Sequence, residues 1–385
     1  MERDKNPSGG TVVKERRAYL DGVRAIACIS IFVLHFTQIM GIDDRDQPVS
    51  VRRFLEYGFG VSAFILISGA LIEGDLIDTP RGPKGYSEYI KRKFFKISPL
   101  YYAVLLVLGG SQLLRGAESS LPGMISHLAF AHNLSDFTLY TISPPLWYLA
   151  VQMQAYLFLP WIGILMPAKK IGGASRTVYL LLLSVLCAIA FSQIVVLGIG
   201  SESFLGLWVR SNPMSVSHSI LAHLPNFLVG MSIYKLLFVT VETRWFEKLV
   251  NDLLVVSLFS SLVWISMTLD ETLVNLPRAR YGFPWLVLPL ALGLCMIPRS
   301  GLVKWFCERP LLQGIGLVSF PFYLVHYPCI RLILIGWEKL GLDAYRLEKS
   351  ATILAISFLF AISTACLLYY LHSFIKKTMK RTNRH

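Results

Sequence analysis

Two side chains able to do chemistry lie within one apolar run. In RRAYLDGVRAIACISIFVLHF, residues 16–36, Arg24 and His35 are eleven positions apart. In an α-helix that spacing is three turns plus roughly 20°, so both project from one face, about 16 Å apart along the axis. Histidine is neutral near pH 7 yet basic enough to take a proton from an attacking hydroxyl, which is otherwise a poor nucleophile. Asp21 lies one turn before Arg24 and is placed to pair with it. A charge facing lipid near a helix centre costs ~2.5 kcal/mol or more, so these groups should face the protein interior or a wet cavity. The plainer reading has Arg24 snorkelling to the membrane interface as a topology anchor and His35 hydrogen-bonding between packed helices.

The elements that must position these groups are membrane helices. The chain has 385 residues, is 54% hydrophobic and only 16% charged, with a mean hydropathy of +0.55. A soluble protein of this length carries more charge and clearer amphipathic patterns. Here the apolar residues come in blocks of about the ~20 residues that cross a bilayer. They predict spans at 18–40, 56–73, 97–114, 146–166, 177–198, 218–238, 250–269, 281–297, 311–336 and 350–373. The first block is too long for a cleavable signal and no small-residue cleavage site follows it, so it reads as a retained helix. With the N-terminus inside, the cytoplasmic segments collect 25 of the 37 Lys and Arg residues and the opposite side 10. That asymmetry follows the positive-inside rule, so the net charge of +13 sets topology and does not indicate nucleic-acid binding. The expected fold is all-α: a polytopic bundle of about ten transmembrane helices with both termini cytoplasmic. Residues 1–15 read as a disordered N-terminal segment, 16–374 as one transmembrane domain and 375–385 as a basic tail.

The six cysteines show no spacing typical of zinc or redox motifs, and neither a metal site nor a disulfide framework is expected. The loop at 73–96 ends in the basic run KRKFFK. The loop at 115–145 contains MISHLAFAHNL, too short to span, which fits an interfacial or re-entrant helix. The ninth block, LLQGIGLVSFPFYLVHYPCIRLILIGW, is interrupted by Gly, Ser, Pro321 and Pro328, and should be kinked where neighbours satisfy the freed backbone groups. Small residues Ser68 and Gly69 inside the second span permit a close helix approach. The fourth span begins at Trp147 and carries two amides, Gln152 and Gln154.

Taken in order, FGVSAFILISGALI, KRKFFKISPLYY, PPLWYLAVQMQAYLFLP, HLPNFLVGMSIY and GLVSFPFYLVHYP, together with the first-helix Arg and His, resemble the acyltransferase-3 family of membrane O-acyltransferases. The resemblance runs from Leu20 to Pro328; each piece is weak alone and the ordered set is specific. It implies that His35 is the catalytic group and that Arg24 takes part in handling the acyl donor. It aligns Ser68 and Gly69 with the family's Ser-Gly motif, and Arg92, Lys93 and Lys96 with its arginine-rich run. Trp147, Gln152 and Gln154 fall in its PLW segment, and Ser319, Tyr323 and His326 in its final motif. Two departures stand out: Gln152 and Ala155 occupy the positions of the family's usual glutamate and phenylalanine, and lysines stand at 93 and 96. Gln keeps the shape of Glu without its charge, and Lys keeps the charge of Arg without its bidentate fork.

The implied reaction moves an acyl group, most commonly acetyl, from cytoplasmic acyl-CoA to a hydroxyl of a surface glycan or lipid-linked sugar, with no permanently bound cofactor. The residues expected to hold substrate are Arg24, Ser68, Arg92, Lys93, Lys96, Trp147, Gln152, Gln154, Tyr323 and His326, with Asp21 and Gly69 in structural roles. Without the resemblance, the basic run is simply a positive-inside signal. The resemblance also implies a multi-pass protein of a bacterial cytoplasmic membrane, with glycan-assembly proteins as possible partners. His127 and His132 lie outside the spans and contact the acceptor or nothing, while His218, His223 and His372 read as structural. Buried charges and broken helices are also transporter traits, and the absence of the glutamate at Gln152 would suit a non-catalytic relative. No two-fold internal repeat supports a transporter.

Overall fold

A computed structural model describes residues 17–41, 59–79, 82–116, 120–165, 173–200, 202–238, 243–268, 284–342 and 347–382, and all regular elements within them are helical. In chain order the main helices are α1 (Ala18–Ile39), α2 (Gly60–Asp78), α3 (Pro83–Leu114), α4 (Ser120–Leu128), α5 (Trp147–Leu165), α6 (Gly173–Gly200) and α7 (Phe204–Ser211). They continue as α8 (Ile220–Ser232), α9 (Trp245–Thr268), α10 (Pro284–Met296), α11 (Pro310–Leu317), α12 (Ser319–Lys339) and α13 (Leu347–Thr382). Among the described residues six helices are long and apolar enough to cross a membrane: α1, α2, α3, Ala174–Val196 of α6, α12 and Ser350–Thr378 of α13. The other four expected spans fall on α5, α8, α9 and α10, and the ninth covers α11 as well as α12. The expected disordered segment 1–15 lies outside the described residues.

Three boundaries differ from the sequence expectation, each for a local reason. The basic run is not a loop: α3 is one helix of 32 residues that carries it. Pro83 occupies the first turn, where its missing N–H is not needed, and residues 86–98 contain no Gly or Pro to end the helix. The interior Pro99 costs a backbone hydrogen bond but does not stop the helix. The ninth block breaks at Val318, between α11 and α12. Pro321 then falls in the first turn of α12, where it is tolerated, and Pro328 lies inside the helix. The basic tail continues α13 as helix to Thr382.

Close packing holds α1 in the middle of the bundle, against α2, α11, α12 and the short helix Leu302–Cys307. A Cβ on Gly22 would overlap the Cys307 carbonyl, and one on Gly316 would overlap the Asp21 carbonyl. The same device joins α2 to α8. Gly69 faces the Phe227 carbonyl and Gly230 faces the Leu66 carbonyl, so neither position has room for a side chain. Phe32, Phe322 and Phe358 form a buried aromatic contact between α1, α12 and α13. Arg176 of α6 grips Glu73 of α2 in a buried two-pronged ion pair, at 2.5 Å through Nε and 2.9 Å through Nη2. These contacts fix α1, α2 and α12, the helices that bear Arg24 and His35, Ser68, and His326.

Candidate active site

His35, near the C-terminal end of α1, lines a chamber of about 570 Å³. Its ring is fixed by a second histidine. His326 Nδ1 donates to the Tyr323 carbonyl one turn back on α12, at 2.8 Å. With that nitrogen protonated, His326 Nε2 is an acceptor, and it lies 3.0 Å from His35 Nδ1. The proton of His35 is therefore on Nδ1, and its Nε2 carries the available lone pair. His326 is fully buried, the Phe322 ring stacks on it at 5.9 Å, and the Tyr327 ring meets His35 edge-on at 5.7 Å. The chamber is completed by Gln38, Tyr140, Trp147, His218, Asn226 and Arg331, among others. His218 is also held: its Nδ1 donates to the Met214 carbonyl at 2.7 Å, its Nε2 lies 3.2 Å from the Tyr140 hydroxyl, and Trp147 packs against it at 4.4 Å.

Arg24, toward the other end of α1, lines a second chamber of about 500 Å³. Its Nη1 lies 3.4 Å from Asp21 Oδ1. Lys96 and His372 line the same space, so cationic and titratable nitrogens from α1, α3 and α13 converge there. On the opposite wall runs a hydrogen-bonded chain. Gln152 Nε2 donates to Ser68 Oγ at 3.1 Å and to the Tyr156 hydroxyl at 2.8 Å, and Ser68 Oγ lies 3.3 Å from the Tyr148 hydroxyl. An amide at 152 serves as donor to both hydroxyls, which a glutamate could not do.

The two chambers share one lining residue among those described, Tyr323. Its ring packs against Phe64 at 6.3 Å and Tyr148 at 5.6 Å, and its hydroxyl donates to the Pro145 carbonyl at the start of the PLW segment. Arg24 and His35 thus share a helix but open into different chambers that meet at this tyrosine.

The remaining sequence-derived residues are placed differently. Lys93 is buried, bound to Asp75 at 2.5 Å and lying over the rings of Tyr89 and Tyr156, so its charge is already matched. Arg92 is exposed and donates to Thr79 Oγ1 at 3.0 Å; neither residue lines the second chamber. Gln154 faces away from both chambers, donating to the Phe130 carbonyl at 3.0 Å and exchanging hydrogen bonds with Asn133, which ties the 129–146 segment to α5. His127 and His132 stack on one another at 3.7 Å, fully buried and outside both chambers. Burial holds the His127 imidazole neutral, with its pKa lowered to about 4.

Sequence reasoning missed Gln38, Tyr140, Asn226, Tyr327 and Arg331 in the first chamber and Tyr148, Tyr156 and His372 in the second. It also set His218, His223 and His372 aside as structural, although all three line a chamber. One signal was available: Tyr327 and Arg331 follow His326 at one- and five-residue offsets, and share a helix face with each other.

Neither a curated protein nor a solved structure matches the chain. The family model described as "Acyltransferase domain" matches residues 17–371. That match takes in the first chamber, the second except for His372, and nearly the whole chain, which belongs to the acyltransferase-3 family of membrane acyltransferases.

Proposed function

We propose that the chain transfers an acyl group, most commonly acetyl, from acyl-CoA in the Arg24 chamber to a hydroxyl acceptor in the His35 chamber. The observation that carries this reading is the arrangement of α1. A histidine with its Nδ1 proton committed to His326 faces one chamber, a cation-lined chamber opens at the other end of the same helix, and the two meet at Tyr323. In the membrane, the Arg24 end faces the cytoplasm, where acyl-CoA is made, and the His35 end faces outward. The ten-span reading of the sequence, with both termini cytoplasmic, puts the basic segments on the donor side.

Each residue then has a physical task. Arg24, Lys96 and His372 meet the phosphates of CoA, and exposed Arg92 extends that surface. The acyl thioester reaches along the Ser68, Tyr148 and Gln152 wall toward Tyr323, and hydroxyls there oppose the charge that develops on the thioester oxygen. The acceptor hydroxyl gives its proton to His35 Nε2 as its oxygen attacks the thioester carbon. Collapse of the tetrahedral intermediate breaks the carbon–sulfur bond, and the imidazolium returns its proton to the departing thiolate. The products are an ester and free CoA, with no change in oxidation state.

The acceptor is a surface glycan or lipid-linked sugar, and the site of action is the bacterial cytoplasmic membrane. Purified protein given acetyl-CoA, with and without a glycan acceptor, tests the reading. Wild type should release free CoA and form ester in an acceptor-dependent way, and His35→Ala should be slower by roughly 10²–10⁴, the usual worth of a general base. Equal ester formation by the two proteins would overturn it.

A further inference from the structure

The His35 chamber has an uneven charge. Among the described residues that line it, Arg331 is the sole formally charged side chain, and these include no aspartate or glutamate. Arg331 is exposed and, among the described residues, has no ion-pair partner. It stands one turn beyond Tyr327, whose ring contacts His35, and five residues beyond His326, about 7.5 Å along the helix axis. That separation leaves room for a sugar ring between a group held by Arg331 and a hydroxyl at His35 Nε2. A second observation points to a ligand. Asn226 lines the same chamber at 4% exposure, and its Oδ1 has no hydrogen-bond partner among the described residues. An amide oxygen buried without a donor suits a ligand that brings hydroxyls.

Resting on the acyltransferase reading of this chamber, we propose that the acceptor is an anionic saccharide, bearing a carboxylate or phosphate that Arg331 binds while Asn226 accepts from a neighbouring hydroxyl. The guanidinium stands at the open side of the chamber, and its planar fork matches both carboxylate and phosphate in two parallel hydrogen bonds, which a neutral group cannot reproduce. A cationic sugar would meet Arg331 with no acid among the described lining residues to offset it. A neutral sugar would leave the guanidinium without a counter-ion.

Equilibrium binding to the purified full chain tests this without turnover, so its result stands apart from whether acyl transfer occurs. Three probes are compared: a glucuronate-containing disaccharide, a hexose phosphate and a neutral disaccharide. Wild type should bind at least one of the two anionic probes about 10- to 100-fold more tightly than the neutral one, as a charge-assisted pair is worth. Whichever anionic probe binds better identifies carboxylate or phosphate as the natural group. Arg331→Gln should erase the preference, and Arg331→Lys should keep part of it. Equal binding of all three probes by wild type, no binding of any, or an unchanged preference in Arg331→Gln would each overturn the proposal.

Discussion

Replacing His326 with alanine removes the acceptor that holds the His35 proton on Nδ1. The bond is 3.0 Å long and its His326 end is fully buried. The His35 donor left behind is half-buried, and a donor stripped of its partner costs about 1–3 kcal/mol where water does not replace it. If that loss falls on the catalytic arrangement, a central value of ~2 kcal/mol slows turnover by roughly 30-fold. The effect should fall on kcat. The Arg24 chamber, the proposed donor site, is lined by other residues and among the described residues meets this one only at Tyr323, so the KM for acyl-CoA should not change. His326→Gln supplies an amide oxygen in place of Nε2 and should recover part of the rate. Because both histidines act on one proton, the double variant His35→Ala/His326→Ala should be no slower than His35→Ala alone. Steady-state kinetics with acetyl-CoA and a fixed acceptor gives all four numbers. A normal kcat in His326→Ala, a change confined to KM, or fully additive losses in the double variant would refute the positioning role.

Tyr323→Ala should open the partition between the chambers. Water then reaches the thioester, so release of CoA without ester formation should rise relative to wild type, as measured by the ratio of free CoA to ester. Glu73→Gln leaves Arg176 buried against a neutral amide, and breaking a buried pair costs ~3–5 kcal/mol. The variant should melt at a lower temperature than wild type in detergent. The stacked His127 and His132 give a pH signature outside the spans. The folded-state pKa of His127 is about 4 against an ordinary 6.5, so the unfolded chain takes up this proton first. The stability this provides is complete above pH 6.5 and is lost as pH falls toward 4. Proteolysis of the 120–135 segment should therefore rise across that window, and His127→Phe should flatten the rise.

What could be read from the sequence follows the range over which residues interact. Arg24 and His35 were legible as a pair because helical spacing within one run fixes their face. The Ser68–Gly69 approach was legible because small residues have few other uses in a span, though its partner Gly230 was not. The Gly, Ser and Pro content of the ninth block was legible as a kink, but the break into two helices at Val318 depends on packing. The His35–His326 bond was out of reach: 291 residues separate the partners, and no local pattern reports it. The basic run shows the opposite failure. Its cations look equivalent in sequence, yet Asp75 and two aromatic rings bind Lys93 while Lys96 lines a chamber. Gln152 and Gln154 are two positions apart and so lie on different helix faces, one joining the Ser68 chain and the other bracing Asn133.

The central claim is that one helix carries a donor site at one end and a catalytic histidine at the other, so that donor and acceptor are used from opposite faces of the membrane. Labelled acetyl-CoA added to sealed vesicles of each orientation measures this directly. Ester should form when the label is supplied at the cytoplasmic face and not at the outer face, and His35→Ala vesicles should form none above background. Ester formation from either face, or label transferred as well by His35→Ala as by wild type, would contradict the account.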